Sequence, residues 1–382
     1  MIPYGRQDIC EDDIKAVEGI LRSDFLTQGP AVPAFEQAIE SFTGAQRGVA
    51  VNSATSALHI ACLALGLGPN DVLWTVPNTF VASANCAYYC GASADFVDID
   101  PDTRNMSISA LEAKLVAAKR DNKLPKIVVP VHFSGLSCDM EAISDLAQHF
   151  GFHVIEDASH AVGASHKGTR VGACQYSDIT IFSFHPVKII TTGEGGMALT
   201  NDPELAQKMA LFRSHGITRD PDLIMKPDSE PWYYEQVELG LNYRLTDIQA
   251  ALGSSQMQRL EEFTEKRNEL AVRYTELLQG VSVQLPKMAT SSYSSWHLYS
   301  ILTCQPANRN AVFREMRSKG IGVNVHYIPV HLQPFYRRQG FSEGMFPHAE
   351  AHGQNALTLP LHPRLSAAQQ EFVVSSLKEV IS

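Results

Sequence analysis

From Gly48 to Ala94 the chain carries a single charged residue, Asp71. A stretch this poor in charge either spans a membrane or fills the middle of a soluble domain. Asn52, Ser53, Thr55, Ser56 and His59 interrupt its first half, and Asn70, Asn78, Thr79 and Asn85 its second. That density of polar groups does not suit a bilayer. The run therefore reads as the buried core of a soluble α/β domain, with polar atoms gathered near a site.

The flanking pattern agrees. Short apolar runs predict strands at Arg47–Val51, Val72–Val76, Ala94–Val97, Lys126–Val131, His153–Ile155, Ile179–Phe182 and Gly196–Thr200. Helical spacing predicts helices at Ala54–Leu65, Phe80–Tyr89 and Met140–Phe150. Strands alternating with helices imply a largely parallel sheet covered on both faces. Ligands of such sheets sit beyond the carboxyl ends of the strands. Pro221–Trp232 reads as a loop, and Gln256–Leu278 as one long, partly exposed helix. A strand near His297–Leu302 and helices near Asn308–Lys319 and Ala367–Val380 suggest a smaller α+β unit. The expected division is a large α/β domain with an N-terminal arm over 1–252, and a linker helix with the small domain over 253–382.

Composition removes several functions. With 31 Lys+Arg against 41 Asp+Glu the formal charge is −10, which argues against a nucleic-acid track. It leaves room for discrete phosphate sites, because a helix N-terminus holds phosphate without net positive charge. The seven cysteines are scattered and form no CxxC, so neither a disulfide scaffold nor a zinc ribbon is expected. The 14 histidines form no HExxH or similar spaced set, and no metal is expected. Met1 to Asp13 contains no apolar signal core, so a cytoplasmic location and no membrane association are expected.

Four features could carry chemistry. Lys188 follows an apolar strand among uncharged residues, and a desolvated lysine is a nucleophile toward carbonyls. Asp157, at the end of another apolar run, could hold a proton on a pyridine nitrogen. The strand–turn–helix Val51-Asn-Ser-Ala-Thr-Ser-Ala-Leu58 offers the amides of Ala54 and Thr55, and the Thr55 hydroxyl, to one phosphate. Phe80 could stack on a planar ring. Each has a plainer explanation: a surface lysine, an Asp N-cap, a Ser/Thr cap and a core Phe. Their order and their shared place at strand ends match what pyridoxal phosphate needs.

At this point the sequence resembles the sugar aminotransferases of the DegT/StrS type. The resemblance covers nearly the whole chain and rests on Asn52-Ser-Ala-Thr-Ser-Ala-Leu-His59, Ser183-Phe-His-Pro-Val-Lys188 and Phe212-Arg-Ser-His-Gly-Ile-Thr-Arg219. Ile2-Pro-Tyr-Gly-Arg-Gln7, Leu26-Thr-Gln-Gly-Pro30 and Pro231-Trp-Tyr-Tyr-Glu-Gln236 point to the branch that aminates C4 of a UDP-linked 4-keto-6-deoxy-N-acetylhexosamine on the pseudaminic acid route.

The resemblance implies the fold type I architecture of aspartate aminotransferase, with pyridoxal 5'-phosphate as cofactor and glutamate as amino donor. It implies that Lys188 binds the cofactor's aldehyde, Asp157 pairs with its ring nitrogen and Phe80 stacks on its ring. Ala54, Thr55 and Ser183 would hold its phosphate. His160 stands where the family more often has Gln, near the ring oxygen. Asn242, in Gly240-Leu-Asn-Tyr-Arg244, would reach the phosphate of a neighbouring subunit, implying a homodimer with shared active sites. Tyr4, Gln28, His326, Tyr327 and His331 would border the nucleotide-sugar pocket. Other nucleotide keto sugars, a dehydratase reaction and a regulatory protein without turnover remain as alternatives. A dehydrating relative has His in place of the lysine, so Lys188 favours amination.

Overall fold

The computed structural model describes residues 1–226, 230–287, 291–304 and 306–381. Its centre is a seven-stranded sheet, with β1 (Arg47–Val51), β2 (Val72–Thr75), β3 (Ser93–Phe96), β4 (Ile127–Val129), β5 (His153–Asp157), β6 (Ile179–Ser183) and β7 (Gly196–Thr200). The order is β1-β7-β6-β5-β4-β2-β3. β7 runs antiparallel to both its neighbours, and the other pairings are parallel. The interior strands are buried on both faces, which is why they read as unbroken apolar runs.

Helices cover both faces. Among them are α1 (Glu11–Leu21), α2 (Ala31–Thr43), α3 (Ala54–Ala64), α4 (Ala82–Tyr89), α5 (Ile108–Arg120), α6 (Met140–Phe150), α7 (Pro203–Arg213), α8 (Asp247–Met257) and α9 (Leu260–Leu277). One core gathers Leu58 and Ile60 of α3, Leu111 of α5, Ile143 of α6 and Met209 of α7. The other gathers Phe35 and Ile39 of α2, Ala250 of α8 and Phe263 of α9. α3 and α4 are uncharged, mix small residues with larger apolar ones, and are mostly buried. This is the uncharged run, folded against the sheet. Among the described residues no helix is long and apolar enough to cross a membrane.

Two expected helices change. Phe80–Tyr89 begins instead at Ala82, so Phe80 lies in the turn before α4 and stays 60% exposed. Gln256–Leu278 is broken. α8 ends at Met257 and α9 starts at Leu260, because residues at the junction turn toward the N-terminal arm. The buried Asp13 carboxylate accepts from Ser255 Oγ at 2.6 Å, Gln256 Nε2 at 2.7 Å and Arg259 Nη2 at 2.8 Å. Thr246 starts α8 with a capping box to Gln249. The expected boundary at 252/253 lies inside α8. Of the loop expected at Pro221–Trp232, residues 227–229 lie outside the described residues. Its flanks pair as a two-residue ladder, Ile217–Thr218 with Glu235–Gln236.

A third core joins α9 with the C-terminal strands Tyr299–Thr303 and Ala356–Leu359 and the final helix Ala367–Ile381. The N-terminus runs along this part. Ile2 bridges Ile321, and Leu361 N donates to Tyr4 O at 3.0 Å.

On β5, alternation puts Glu156 and Asp157 on opposite faces. Glu156 is buried and accepts from His132 Nε2 at 2.7 Å, Ser177 Oγ at 2.5 Å and Thr180 Oγ1 at 3.1 Å. His132 Nδ1 accepts the Cys138 N–H at 3.1 Å, which leaves Nε2 to donate to Glu156. Burial pushes the Glu156 carboxyl up, but these donors outweigh it and hold the carboxyl below its usual range. Replacing Glu156 by Ala strands two buried donors, His132 and Thr180, and the half-buried Ser177. The expected loss is about 3 kcal/mol of unfolding free energy, read by denaturant titration at constant m.

Candidate active site

The carboxyl ends of β1, β2, β5 and β6 open onto one cavity of about 910 Å³. It brings together Ala54, Thr55, Phe80, Asp157, His160, Ser183 and Lys188, with Tyr4, His326 and Tyr327 on the opposite wall. Ten of the expected residues therefore meet in one place.

At the β1 end, Ser53 caps α3. Its hydroxyl accepts from Ser56 N at 3.1 Å. The amides of Ala54 and Thr55 are left at the helix start, where the backbone dipole favours an anion. Gly196 lies opposite Val51 in the ladder. A Cβ on Gly196 would come within 2.5 Å of Ala54 N, so only glycine allows β7 to lie against this turn. Ser183, the last residue of β6, closes the same end of the cavity.

Asp157 ends β5. Its Oδ1 accepts from Ser159 N at 3.1 Å and its Oδ2 from Ser83 Oγ at 2.6 Å. Lys188 sits in the turn after β6. Its N–H donates to His185 O at 2.9 Å, and the buried Ile189 and Ile190 anchor the chain just beyond it. Burial lowers the Lys188 ammonium to about 8, and the negative charge of Asp157 opposes that shift. At pH 7 about a tenth of the amine is then neutral, far more than in an exposed lysine.

The far wall is polar but uncharged. Burial, with the positive charge of Lys188 adding to it, lowers His326 to about 3 and holds His160 and His297 well below their usual range. The Tyr327 hydroxyl lies 3.1 Å from His160 Nε2, and burial raises its phenol. His326 Nδ1 lies 2.8 Å from Thr358 Oγ1. Tyr4 stacks obliquely on His326 with ring centroids 5.5 Å apart. His160 Nδ1 and His297 Nδ1 are buried without a partner.

Three expected residues do not line this cavity. His331 is fully buried, its Nε2 2.9 Å from Glu350 Oε1 and its ring against Phe346, so in this structure it packs the interior beside the cavity rather than lining it. Gln28 lines a separate cavity of about 250 Å³ with Arg213 and Arg244. Asn242 is exposed, bridging Ser214 outside the cavity. Conversely, Ser83, Ser159, His297, Asn324 and Gln249 line the cavity without having been expected there. Ser83 lies in the segment that supplied Phe80, yet its partner Asp157 is 74 residues away, a pairing no local pattern announces.

The comparisons agree with this geometry. Residues 7–378 match the model of the DegT/DnrJ/EryC1/StrS aminotransferase family. The chain is 38% identical over 387 residues to the UDP-4-amino-4,6-dideoxy-N-acetyl-beta-L-altrosamine transaminase of Campylobacter jejuni (strain 81-176), covering 100% of this chain and 98% of that protein. It is 37% identical over 386 residues to the spore coat polysaccharide biosynthesis protein SpsC of Bacillus subtilis, covering 100% and 97%. The solved structure of Helicobacter pylori PseC, an aminotransferase involved in the biosynthesis of pseudoaminic acid, superposes with a TM-score of 0.90 at 31% identity, covering 100% of this chain and 99% of that one. The chain thus belongs to the DegT/DnrJ/EryC1/StrS aminotransferase family, and is a sugar aminotransferase of the fold type I class that uses pyridoxal phosphate.

Proposed function

We propose that this enzyme moves an amino group from glutamate to C4 of a UDP-linked 4-keto-6-deoxy-N-acetylhexosamine, on a pseudaminic-acid type of route. The observation that carries the chemistry is one cavity holding Lys188, its ammonium lowered to about 8, and the Asp157 carboxylate beside the N-terminus of α3. The residues fit the cofactor: the Ala54 and Thr55 amides at the start of α3 and Ser183 for its phosphate, Phe80 for its ring, and the orphaned His160 Nδ1 for its ring oxygen. When bound, pyridoxal phosphate supplies an electron sink conjugated to the reacting carbon.

The chain's own residues do the rest. Lys188 Nζ would hold the cofactor's aldehyde carbon, and the donor amine would take its place. The freed Lys188 would take the proton from Cα of glutamate and return it to the carbon on the other side of the shared nitrogen, acting as general base and then general acid. Asp157 would keep the ring nitrogen protonated. In the second half-reaction Lys188 would move a proton the opposite way across that nitrogen, onto C4 of the sugar. His326, Tyr327 and Tyr4 form the wall that faces the sugar.

We further propose that the enzyme works in the cytoplasm as a homodimer, with Asn242 of a second copy contributing to this site. Among the described lining residues Lys188 is the only lysine or arginine, while the ligands bring several phosphates. Asn242 is exposed and free to reach outward.

The support for the UDP sugar is the relatives named above, the transaminase foremost. Its test is incubation with glutamate and a panel of nucleotide-linked 4-keto-6-deoxy sugars, followed by mass analysis. Conversion of the UDP-linked N-acetyl ketone to the amine is expected. Amination of non-UDP sugars alone would overturn the assignment. The relative SpsC supports a second reading, another nucleotide 4-keto sugar, which the same panel would identify.

A further inference from the structure

The Asp157 carboxylate does not sit free on its strand. Ser83 Oγ donates to Asp157 Oδ2 at 2.6 Å, and Thr79 Oγ1 lies 2.8 Å from Ser83 Oγ. All three side chains are at least 95% buried in this arrangement, with Ser83 1% and Thr79 3% exposed. An ionised carboxylate only accepts, so the Ser83 proton goes to Oδ2. Ser83 Oγ must then receive its own hydrogen bond, and Thr79 is the group placed to give it. The chain of donation runs Thr79 to Ser83 to Asp157. A serine hydroxyl on a carboxylate is charge-assisted and short, among the stronger hydrogen bonds a protein makes.

The same turn links two functions. Thr79, Phe80 and Ser83 belong to the segment that enters α4, and Ser83 Oγ also lies 3.3 Å from Phe80 O. A movement of this turn displaces the ring platform and the carboxylate's donor together. The backbone of Asp157 is held independently: its N–H donates to Pro130 O at 2.9 Å, and its carbonyl accepts from His132 N at 3.1 Å. What remains to be fixed is the side-chain rotation, which Ser83 and the Ser159 amide determine from the two oxygens.

We infer that Ser83, backed by Thr79, is a positioning residue that orients the Asp157 carboxylate toward the cofactor's ring nitrogen and couples it to the Phe80 platform. The inference rests on the proposed role of Asp157, and its test separates the two. Cofactor-free protein is titrated with pyridoxal phosphate, following its absorbance, for the parent, Ser83→Ala, Ser83→Thr, Thr79→Val, Asp157→Asn and the Ser83→Ala/Asp157→Asn double variant. Thermal melts accompany each.

The expected result is about tenfold weaker binding for Ser83→Ala, with recovery in Ser83→Thr and a smaller loss, about threefold, in Thr79→Val. In the Asp157→Asn background, Ser83→Ala should cost less than about twofold, because its partner charge is gone. An equal loss in both backgrounds, or failure of Thr to restore binding, overturns the inference. If Ser83→Ala does not fold, Thr79→Val carries the test: binding unchanged at a parent-like melting temperature overturns it. An Asp157→Asn variant with unaltered affinity and unaltered bound absorbance would overturn the role of Asp157, and this inference with it.

Discussion

Replacing Lys188 by Arg is expected to lower turnover by about 10³-fold or more, with little change in the melt of the cofactor-free protein. The substitution keeps the positive charge and most of the length. It removes the one property the site has tuned. Burial brings the Lys188 amine from the ordinary 10.5 to about 8. At pH 8 about half of the amines are then neutral, against roughly 0.3% for an unperturbed lysine. A guanidinium does not deprotonate in this range, so it can neither attack a carbonyl nor carry the proton. Borohydride treatment of the loaded parent should leave a stable adduct on the peptide containing Lys188, and the Arg variant should leave none. Turnover within tenfold of the parent, or an adduct on another lysine, would remove Lys188 from its role.

The strands were readable because their constraint is local. β1 and β7 match their expected bounds, β2, β5 and β6 differ by one or two residues at one end, and β3 and β4 at both ends. A strand buried on both faces must be apolar along its length, and that shows in any window of five residues. The site followed from the same logic: Ala54, Phe80 and Lys188 lie in turns just past strands and Asp157 is the last residue of one, where an α/β sheet places its ligands.

The misreadings come from partners distant in the chain. α8 and α9 read as one helix because the side chains are right for it. What bends the junction is Asp13, 246 residues from Arg259. His331 looked like a pocket residue because it follows His326 and Tyr327 in a Pro-containing segment. Only the fold reveals Glu350, which accepts its ring N–H and the amides of Gly344 and Phe346. Ser83 is the converse: an ordinary serine by pattern, given a role by a carboxylate that the sheet brings to it.

Asp157→Asn is expected to move two measurements in opposite directions, which makes it the sharper test of the site. The amide is nearly the same size, and its one oxygen can still accept from the Ser159 amide, while its NH2 in the place of Oδ2 donates to Ser83 Oγ, whose own proton can turn to Phe80 O. It cannot hold a proton on a pyridine nitrogen, so turnover should fall by about 10²- to 10³-fold, the range seen when an aligned electrostatic contact is lost. Lys188, by contrast, should become more available. The negative charge of Asp157 currently raises the lysine against the effect of burial. Removing that charge leaves burial unopposed, so the folded-state value drops below about 8 and a larger fraction of the amine is neutral at pH 7. The rate at which cofactor-free protein traps a simple aldehyde under borohydride, followed against pH, should show its inflection shifted downward. A nucleophile that is easier to generate in an enzyme that turns over more slowly means that Asp157 serves the ring and not the lysine. If the inflection rises, or turnover stays within about threefold, the carboxylate is acting as a structural cap on the Ser159 amide and the electron-sink role must pass to another group.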